Sequence, residues 1–505
     1  MSASPPGIAA ADEFPSSETL EALGVSTLLP AALADWRPLL TEALLAFLRQ
    51  LPEARLNDII ARQFELDADA TPAQRLATLL ACCPTLHKLG QVVARQPHLH
   101  PDLRSQLQTL ESMPPSTPMP ALLRRVRSEL GARARELALD DAALAEGSVA
   151  VVLPFAWRER GHLRDGVLKV LKPGVENRLA QELALLPAIA SLLERRSAEL
   201  GLPRIDYRGP LASVNRLLQE EIRLDHEQLH LAEAAAFHAG DARVHIPALL
   251  PWCTPRLTAM ERIAGTPLDR AQLSTAARQQ LATTMISALL ARPFWTEDEF
   301  ATFHGDLHGG NLMLGDDGRL AIFDWSLTAR IHKSQREAMV AIALGGISLD
   351  ASRIHAGLRA LGLRGLGTAQ VERIIEAALD RAVRTPRPIG FNWLLRLLDD
   401  IALAGGSGFD DQLSVFRKSW MSLASLIADM GASANPDFTL LNTGLGQFLA
   451  EWPRRLFAAP ASRDFGTHVS NADLALLASS TWALTARYWT RLARSGLGGF
   501  GLAGR

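Results

Sequence analysis

The stretch His304-Gly-Asp-Leu-His-Gly-Gly-Asn311, followed by the apolar run Leu320-Ala-Ile-Phe that ends at Asp324, decides the fold. Asp306 and Asn311 are separated by four residues, and Asp324 lies 18 residues beyond Asp306. In kinase-type phosphoryl transfer, a loop aspartate faces the acceptor hydroxyl or a water, and an asparagine one turn later binds a metal ion. An aspartate after a short hairpin then bridges Mg²⁺ to the phosphates. The spacing therefore predicts a phosphoryl-transfer site, with Asp306 as the catalytic residue and Asn311 and Asp324 as metal ligands.

Lys169 lies within the apolar, strand-like run 166–171. A lysine inside a strand is unfavourable unless its charge is paired. In kinases, a strand lysine contacts the α- and β-phosphates of ATP and is held by a helix glutamate. No GxGxxG loop precedes Lys169, and the chain has Ala145-Glu146-Gly147-Ser148 instead, so the nucleotide cover is not that of an ordinary protein kinase.

The composition excludes several classes of protein. The 505 residues are 48% hydrophobic and 21% charged, and the net charge of -2 excludes a strongly basic nucleic-acid binder. Only three cysteines occur and none forms a CxxC pair, which favours a reducing, cytoplasmic setting. The sequence predicts neither a signal peptide nor a transmembrane helix.

Lysine is rare among the basic residues. Of 52 lysines and arginines only five are lysine. Arginine supplies general surface charge equally well, so a retained lysine marks a position where a compact ammonium is needed. The five are Lys88, Lys169, Lys172, Lys333 and Lys418.

The pattern along the chain predicts an α+β protein. Residues 1–18 are predicted to be disordered and 19–120 to form a helical region. Residues 121–265 are predicted to form a β-rich lobe with a helical insertion, opening with a helix over 121–145 and containing a hairpin over 148–172. Residues 266–345 are predicted to carry the catalytic and metal loops after helices over 270–300, and 346–505 to be a helical extension.

Several segments together resemble the UbiB/AarF family of atypical protein-kinase-like proteins, over about residues 80–330. The resemblance is carried by LHKLGQ (86–91, the family's KxGQ motif), ALAEGSVAVV (143–152), GVLKVLKPGV (166–175), EEIRLDHEQ (220–228), TAMERIAGTPL (258–268), HGDLHGGN (304–311) and FDW (323–325).

The resemblance implies a bilobal protein-kinase-like fold with a KxGQ helical extension, and ATP and Mg²⁺ as cofactors. It identifies Lys169 as the ATP lysine and Glu227 as its partner. It further implies that Lys88 and Gln91 reach the nucleotide pocket with support from Glu221, the first acid of the family's ExD pair. It assigns Ala145-Glu146-Gly147-Ser148 to the alanine-rich loop that covers the nucleotide. It assigns Met260 and Glu261 to the hinge that borders the nucleotide.

The resemblance also implies hydrolysis of ATP, or phosphorylation of a small or lipid-like substrate in ubiquinone or other prenyl-lipid metabolism, with peripheral association with a membrane. An aminoglycoside-phosphotransferase-like kinase and a non-catalytic nucleotide-binding scaffold remain alternatives, and the oligomeric state stays open. Arg223 replaces the second acid of ExD unless Asp225 substitutes for it, and Trp325 and Ser326 depart from the usual Phe-Gly.

Overall fold

A computed structural model describes residues 31–94, 105–107, 110, 115–203, 205–384, 389–479 and 481–497. The predicted disorder of residues 1–18 lies outside these residues. The chain divides into two compact units. Unit 1 contains the described residues up to Glu233 together with Pro247–Ile263, and unit 2 contains Ala234–Ile246 and the described residues from Ala264 onward.

The helices of the N-terminal part are α1 Arg37–Arg49, α2 Glu53–Phe64, α3 Pro72–Ala81, α4 Pro84–Ala94, α5 Met119–Leu130, α6 Val175–Glu199, α7 Arg208–Glu221 and α8 Leu224–His238. Most of them contribute to one apolar core, whereas α5 packs with residues of the sheet of unit 1. Leu48, Ile59 and Leu79 meet Ile189 of the long helix α6 in this core. Burial of these apolar faces stabilises the region by roughly 1.5–3 kcal/mol per large side chain.

The sheet of unit 1 contains the strands β1 Leu137–Leu139, β2 Ala145–Glu146, β3 Ala150–Glu159, β4 His162–Leu171 and β6 Leu257–Glu261. Their order in the sheet is β1-β3-β4-β6, with β2 beside β3. β3 and β4 form the predicted hairpin, closed by Arg160 and Gly161 at φ 49° and 84°. Two consecutive residues with positive φ are typical of the turn that matches the twist of paired strands.

The predicted helix over 121–145 is wrong in its second half. The helix ends at Leu130, and Gly131 follows with φ 57° and ψ -128°, a conformation that favours glycine. The chain then forms β1, which pairs with β3 from Leu137 opposite Trp157. Pairing with the sheet therefore overrides the helical propensity of this segment.

The strands of unit 2 are β5 Val244–His245, β7 Gly265–Pro267, β8 Phe300–His304, β9 Leu312–Gly315, β10 Leu320–Ile322 and β11 Thr328–His332. Four of them form a sheet in the order β5-β10-β9-β7, and β8 and β11 form a separate pair. The helix predicted over 270–300 is α9 Thr275–Ile286, which continues through a π-helical turn and ends at Phe294. The prediction missed β8, whose aromatic and β-branched residues pair with β11 over five positions.

The rest of unit 2 is helical, as predicted. Its helices are α10 Lys333–Ile347, α11 Ala351–Ala360, α12 Thr368–Arg384, α13 Phe391–Leu403, α14 Asp411–Asp429, α15 Pro436–Arg455, α16 Asn471–Ser479 and α17 Thr481–Leu497. Gly405 and Gly408, both at φ 91°, lie in the break that follows α13. Among the helices that the structure describes, none is long and apolar enough to cross a membrane. The α+β class is confirmed.

Candidate active site

Lys169, the predicted ATP lysine, lies in the central strand β4. It pairs with Val152 on β3 and with Thr258 on β6. Its Nζ donates to Oε1 of Glu227 at 2.7 Å, and the two side chains are 15% and 3% exposed. Gln228 of α8 donates to the Thr258 hydroxyl at 3.0 Å, which fixes the helix on the sheet. The expected contact is present, and its role in binding ATP stays a prediction.

Lys88 is brought together with two other residues of the predicted site. It extends from α4 and forms an ion pair with Glu221, the last residue of α7. The Ser148 hydroxyl donates to the other oxygen of that carboxylate at 3.1 Å. The KxGQ helix, the helical insertion and the turn before β3 therefore meet at the carboxylate of Glu221, which is 11% exposed.

Gln91 does not share this contact. Its Nε2 donates to the carbonyl of Leu110 at 2.8 Å, and Nε2 of His87 contacts the same carbonyl at 2.8 Å. Burial lowers the pKa of His87 to about 4, so the imidazole is neutral at pH 7. Gln91 thus joins α4 to the chain at Leu110, and its assignment to the nucleotide pocket is not supported by its hydrogen bond.

Glu146 is almost fully buried in a separate cluster. Its carboxylate accepts from Lys172 at 2.8 Å and from the amides of Ser116 and Thr117 at 2.6 and 2.8 Å. Both hydroxyls of that pair donate to it as well, at 3.2 and 3.0 Å. Burial raises the pKa of Glu146, but the Lys172 ammonium and the two amides outweigh it and lower the pKa to about 2. Glu146 therefore links the β2–β3 hairpin to the segment before α5, and its oxygens are engaged there.

The rest of the predicted nucleotide cover is the tip of that hairpin. Ala145 lies on β2 in register with Val152, so it shares a row of the sheet with Lys169. The amide of Gly147 donates to the carbonyl of Ala150 at 2.8 Å and closes the turn. Of the four residues predicted here, Ala145 is the one that the register places in line with the lysine.

Met260 and Glu261 end β6. Met260 pairs with Val167, and the amide of Glu261 donates to the carbonyl of Ala248 at 2.9 Å. The chain leaves unit 1 two residues later, after Ile263. Both residues are thus at the end of unit 1, where the resemblance places a hinge.

In unit 2, His304 joins the predicted catalytic loop to the strand that precedes Asp324. Its Nδ1 accepts from the amide of Asp306 at 3.3 Å, and its Nε2 donates to the carbonyl of Phe323 at 2.9 Å. Burial lowers the pKa of His304, which keeps the neutral form that these two contacts require. The Trp325 ring packs against His304 edge to face at 4.9 Å, so the tryptophan has a packing role in this chain.

Asn311 and Asp324, the predicted metal ligands, each carry side-chain oxygen atoms. The Asn311 amide nitrogen donates to the carbonyl of Asp306 at 3.0 Å, which leaves the amide oxygen as the group that can serve a cation. Asp324 adopts a left-handed φ of 54°, and its carboxylate accepts from the amide of Ser326 at 3.3 Å. In the part of the chain that the structure describes, no cluster of three or more His, Cys, Asp or Glu could hold a metal by itself. The donors fit Mg²⁺, which is commonly held by one or two carboxylates together with substrate phosphates.

Lys418 is a site residue that the sequence did not assign. It extends from α14, and its Nζ donates to Oδ1 of Asp306 at 2.9 Å. The neighbouring Ser419 donates to the carbonyl of His304 at 2.6 Å. One helix of the C-terminal region therefore contacts the predicted catalytic loop twice. The two partners lie 112 residues apart, so the scarcity of lysine was the only signal in the sequence.

Aromatic packing holds α14 in this position. Phe416 packs against Phe303 of β8 with ring centroids 4.7 Å apart. Trp420 stacks on Phe391 of α13 at 5.4 Å, and Phe391 in turn meets Phe294 at 4.7 Å. These buried rings make α14 part of the support of the catalytic loop.

Asp225 does not replace the missing acid of the ExD pair in this structure. It forms an exposed ion pair with Arg223 at 3.0 Å, and the guanidinium lowers the pKa of Asp225. Glu221, the first acid, is engaged by Lys88. The two acids therefore have separate partners.

The rare lysines share one property. Lys88, Lys169, Lys172 and Lys418 each contact a carboxylate that the sequence assigned to the site. Lys333 begins α10. Lys88 and Lys169 were assigned to the site from the sequence, whereas Lys172 and Lys418 were left without a role and their contacts are seen only in the structure.

The chain matches one family model and is similar to several known proteins. A family model described as the ABC1 atypical kinase-like domain matches residues 109–357. The chain is 25% identical over 419 residues to a probable protein kinase UbiB of Pseudomonas putida (strain W619), which covers 77% of this chain and 72% of that one. It is 28% identical over 266 residues to an uncharacterized chloroplastic aarF domain-containing protein kinase of Arabidopsis thaliana, which covers 50% and 48%. A Mycobacterium tuberculosis protein solved as a complex with erythromycin aligns with a TM-score of 0.45 and 17% identity, over 75% of this chain and 92% of that one.

These matches differ in extent. The aligned part spans about half the length of the Arabidopsis relative and about seven tenths of the Pseudomonas relative. The family model includes the predicted ATP and metal residues, but it begins after Lys88 and ends before Lys418. The contacts of those two lysines therefore rest on the structure of this chain.

Proposed function

Because the chain belongs to the UbiB/AarF family of atypical kinase-like proteins, we propose that it binds ATP with Mg²⁺. We further propose that it hydrolyses ATP or transfers the γ-phosphoryl group to a small or lipid-like acceptor. The observation that carries this proposal is the buried contact of Lys169 with Glu227, which lie 58 residues apart. An ammonium balanced by one helix carboxylate in the central strand is suited to bind the phosphates of a nucleotide.

In this proposal each site residue has a defined role. Lys169 donates to the α- and β-phosphates, and Glu227 holds its ammonium in place. Asp306 orients the acceptor hydroxyl or a water and takes its proton as the new oxygen–phosphorus bond forms and the bond to ADP breaks. Asn311 and Asp324 would hold Mg²⁺, which when bound neutralises charge on the phosphate oxygens.

Lys418 acts on Asp306, the residue that faces the acceptor in this proposal. Its ammonium lies 2.9 Å from the carboxylate of Asp306, so it fixes the rotamer of that side chain and balances its charge. Lys418 is 36% exposed, so the contact remains accessible to a ligand or to water. We assign Lys418 a positioning role toward Asp306.

The acceptor class rests on the KxGQ helix. The resemblance implies that this helix folds over the place where a protein substrate would bind, and here α4 is held by the ion pair of Lys88 with Glu221. A small or lipid-like acceptor fits that arrangement better than a protein. The same resemblance extends the proposal to ubiquinone or other prenyl-lipid metabolism and to peripheral association with a membrane.

Equilibrium binding of ATP in the presence of Mg²⁺ tests the proposal. Lys169→Met should weaken binding about tenfold or more, because a charge-assisted hydrogen bond contributes roughly 1.5–3 kcal/mol. Lys333→Met is the matched control and should bind as the wild type does. Phosphate release by the wild type then separates an enzyme from a nucleotide-binding scaffold. A wild-type chain that does not bind ATP at millimolar concentration would refute the proposal.

A further inference from the structure

Helix α15 has one face fixed in the core of unit 2. Leu440, Gly444 and Glu451 are buried along this face. The Trp295 indole donates to the carbonyl of Leu440 at 2.8 Å and packs so closely on Gly444 that a Cβ there would lie 2.8 Å from the ring. Arg455 forms a buried ion pair with Glu451 at 2.9 Å at the end of the helix. The orientation of α15 is therefore set by its inner face.

The outer face of α15 is apolar and exposed. Its large side chains recur every three or four residues, which places them in one stripe along a helix with 3.6 residues per turn. They are Phe438, Leu441, Leu445, Leu449, Trp452 and Leu456, each between 52% and 67% exposed, and Phe457 follows at 91%. From Phe438 to Pro453 the only charged residue in the sequence is Glu451, which lies on the inner face.

The exposed area is large. Seven such side chains present on the order of 800 Å² of apolar surface, since a large aromatic side chain alone carries roughly 150–250 Å². The largest apolar patch of a monomer is about 300–600 Å². A stable protein interface buries about 800 Å² from each partner. The stripe therefore has the area that one half of a dimer interface requires.

The spacing of the stripe also fits a second copy of itself. When two such helices run antiparallel about a twofold axis between Leu445 and Leu449, these two leucines meet across the axis. Phe438 then meets Leu456 of the other copy, and Leu441 meets Trp452. Because the stripe carries no charge, the pairing buries no unpaired ion and brings no like charges together.

We propose that the outer face of α15 is the twofold interface of a homodimer of this chain. The proposal is independent of the function proposed for the active site. A lipid surface is the competing occupant, and interfacial helices usually carry Lys and Arg that meet anionic headgroups. Arg454 is the exposed basic residue at the end of the stripe, and it is engaged with Glu297 at 3.0 Å. The stripe thus favours an apolar protein partner.

Sedimentation velocity of the full chain, without lipid, tests the interface. The wild type should sediment as a dimer at micromolar concentration. Leu445→Glu and Leu449→Lys should each weaken the dimer by roughly a hundredfold or more, because each buries an unpaired charge twice in the interface. Leu163→Glu changes a leucine that is equally exposed, 65%, in unit 1, and should remain dimeric. A cooperative thermal unfolding transition in both variants shows that they fold, even where loss of the dimer lowers Tm.

Mixing the two monomeric variants tests the antiparallel geometry. In a mixed dimer, the glutamate at position 445 of one chain faces the lysine at position 449 of the other, so association should return. Failure of the mixture to associate would overturn the antiparallel pairing. A wild-type chain that stays monomeric at 100-fold higher concentration would overturn the interface itself, whether or not it binds vesicles of phosphatidylcholine and phosphatidylglycerol.

Discussion

Glu146→Gln separates a structural role of this residue from a role in covering the nucleotide. The amide keeps the shape of the side chain but leaves Lys172 buried, at 16% exposure, without a carboxylate. Breaking one partner of a buried ion pair costs about 3–5 kcal/mol, and we expect the lower end, about 3 kcal/mol, because Lys172 keeps some contact with water. A change of 1 kcal/mol shifts Tm by about 2–4 °C in a unit of this size, so Tm should fall by about 6–12 °C.

The same contact predicts a dependence on pH. The pKa of Glu146 is about 2 in the folded chain and 4.5 in the unfolded chain. A group whose folded pKa is lowered stabilises the fold fully above its unfolded pKa, and that stabilisation is lost as the pH falls toward the folded pKa. Burial lowers the pKa of Lys172 and offsets part of the gain. The difference in stability between the wild type and Glu146→Gln should therefore shrink as the pH falls from 4.5 to 2.

Thermal unfolding followed by circular dichroism, together with ATP affinity at 20 °C, checks this prediction. Glu159→Gln changes an exposed glutamate of β3 and should leave Tm unchanged. The double variant Glu146→Gln/Lys172→Met removes the unpaired ammonium and should recover part of the lost stability. An unchanged Tm combined with a loss of ATP affinity would refute the structural role and restore the assignment of Glu146 to the nucleotide cover.

Three further variants test the lysines at the site. Lys418→Met should lower kcat by about tenfold, the size of one charge-assisted hydrogen bond, with an unchanged KM for ATP. Lys418→Arg should recover part of the rate, and an equal kcat in Lys418→Met would contradict the positioning role toward Asp306. The double variant Lys88→Met/Glu221→Gln leaves no buried unpaired charge, so Tm should stay nearly constant. Because Lys88 is predicted to reach the nucleotide pocket, ATP turnover should fall. A lower Tm with normal turnover would show that the pair is only structural.

The sequence predicted the parts of the fold that local patterns encode. The β3–β4 hairpin follows from two apolar runs joined by a polar turn, and Lys169 is marked by its place in an apolar strand. The helix end at Gly131 is a local glycine signal that the prediction passed over. The strands β1 and β8 were missed because their pairing with β3 and β11 decides them. A helical propensity of about 0.7 kcal/mol or less per residue is readily outweighed by such pairing.

Partners far apart in the chain were harder to predict. Glu146 looked like a nucleotide-covering residue because its neighbours resemble a loop of the family, yet Lys172 and the amides of Ser116 and Thr117 engage it. The contact of Lys418 with Asp306 depends on a helix packed 112 residues downstream. No spacing rule reaches across such distances, and Lys418 was left without a role although it is one of only five lysines.

The dependence of ATP binding on Mg²⁺ tests the central claim most directly. ATP affinity should be measured with Mg²⁺ and with chelator, for the wild type, for Asp324→Asn and for the exposed control Asp316→Asn. We predict that Mg²⁺ strengthens ATP binding to the wild type and to Asp316→Asn, and that Asp324→Asn abolishes this dependence. The same response to Mg²⁺ in Asp324→Asn as in the wild type would contradict the account.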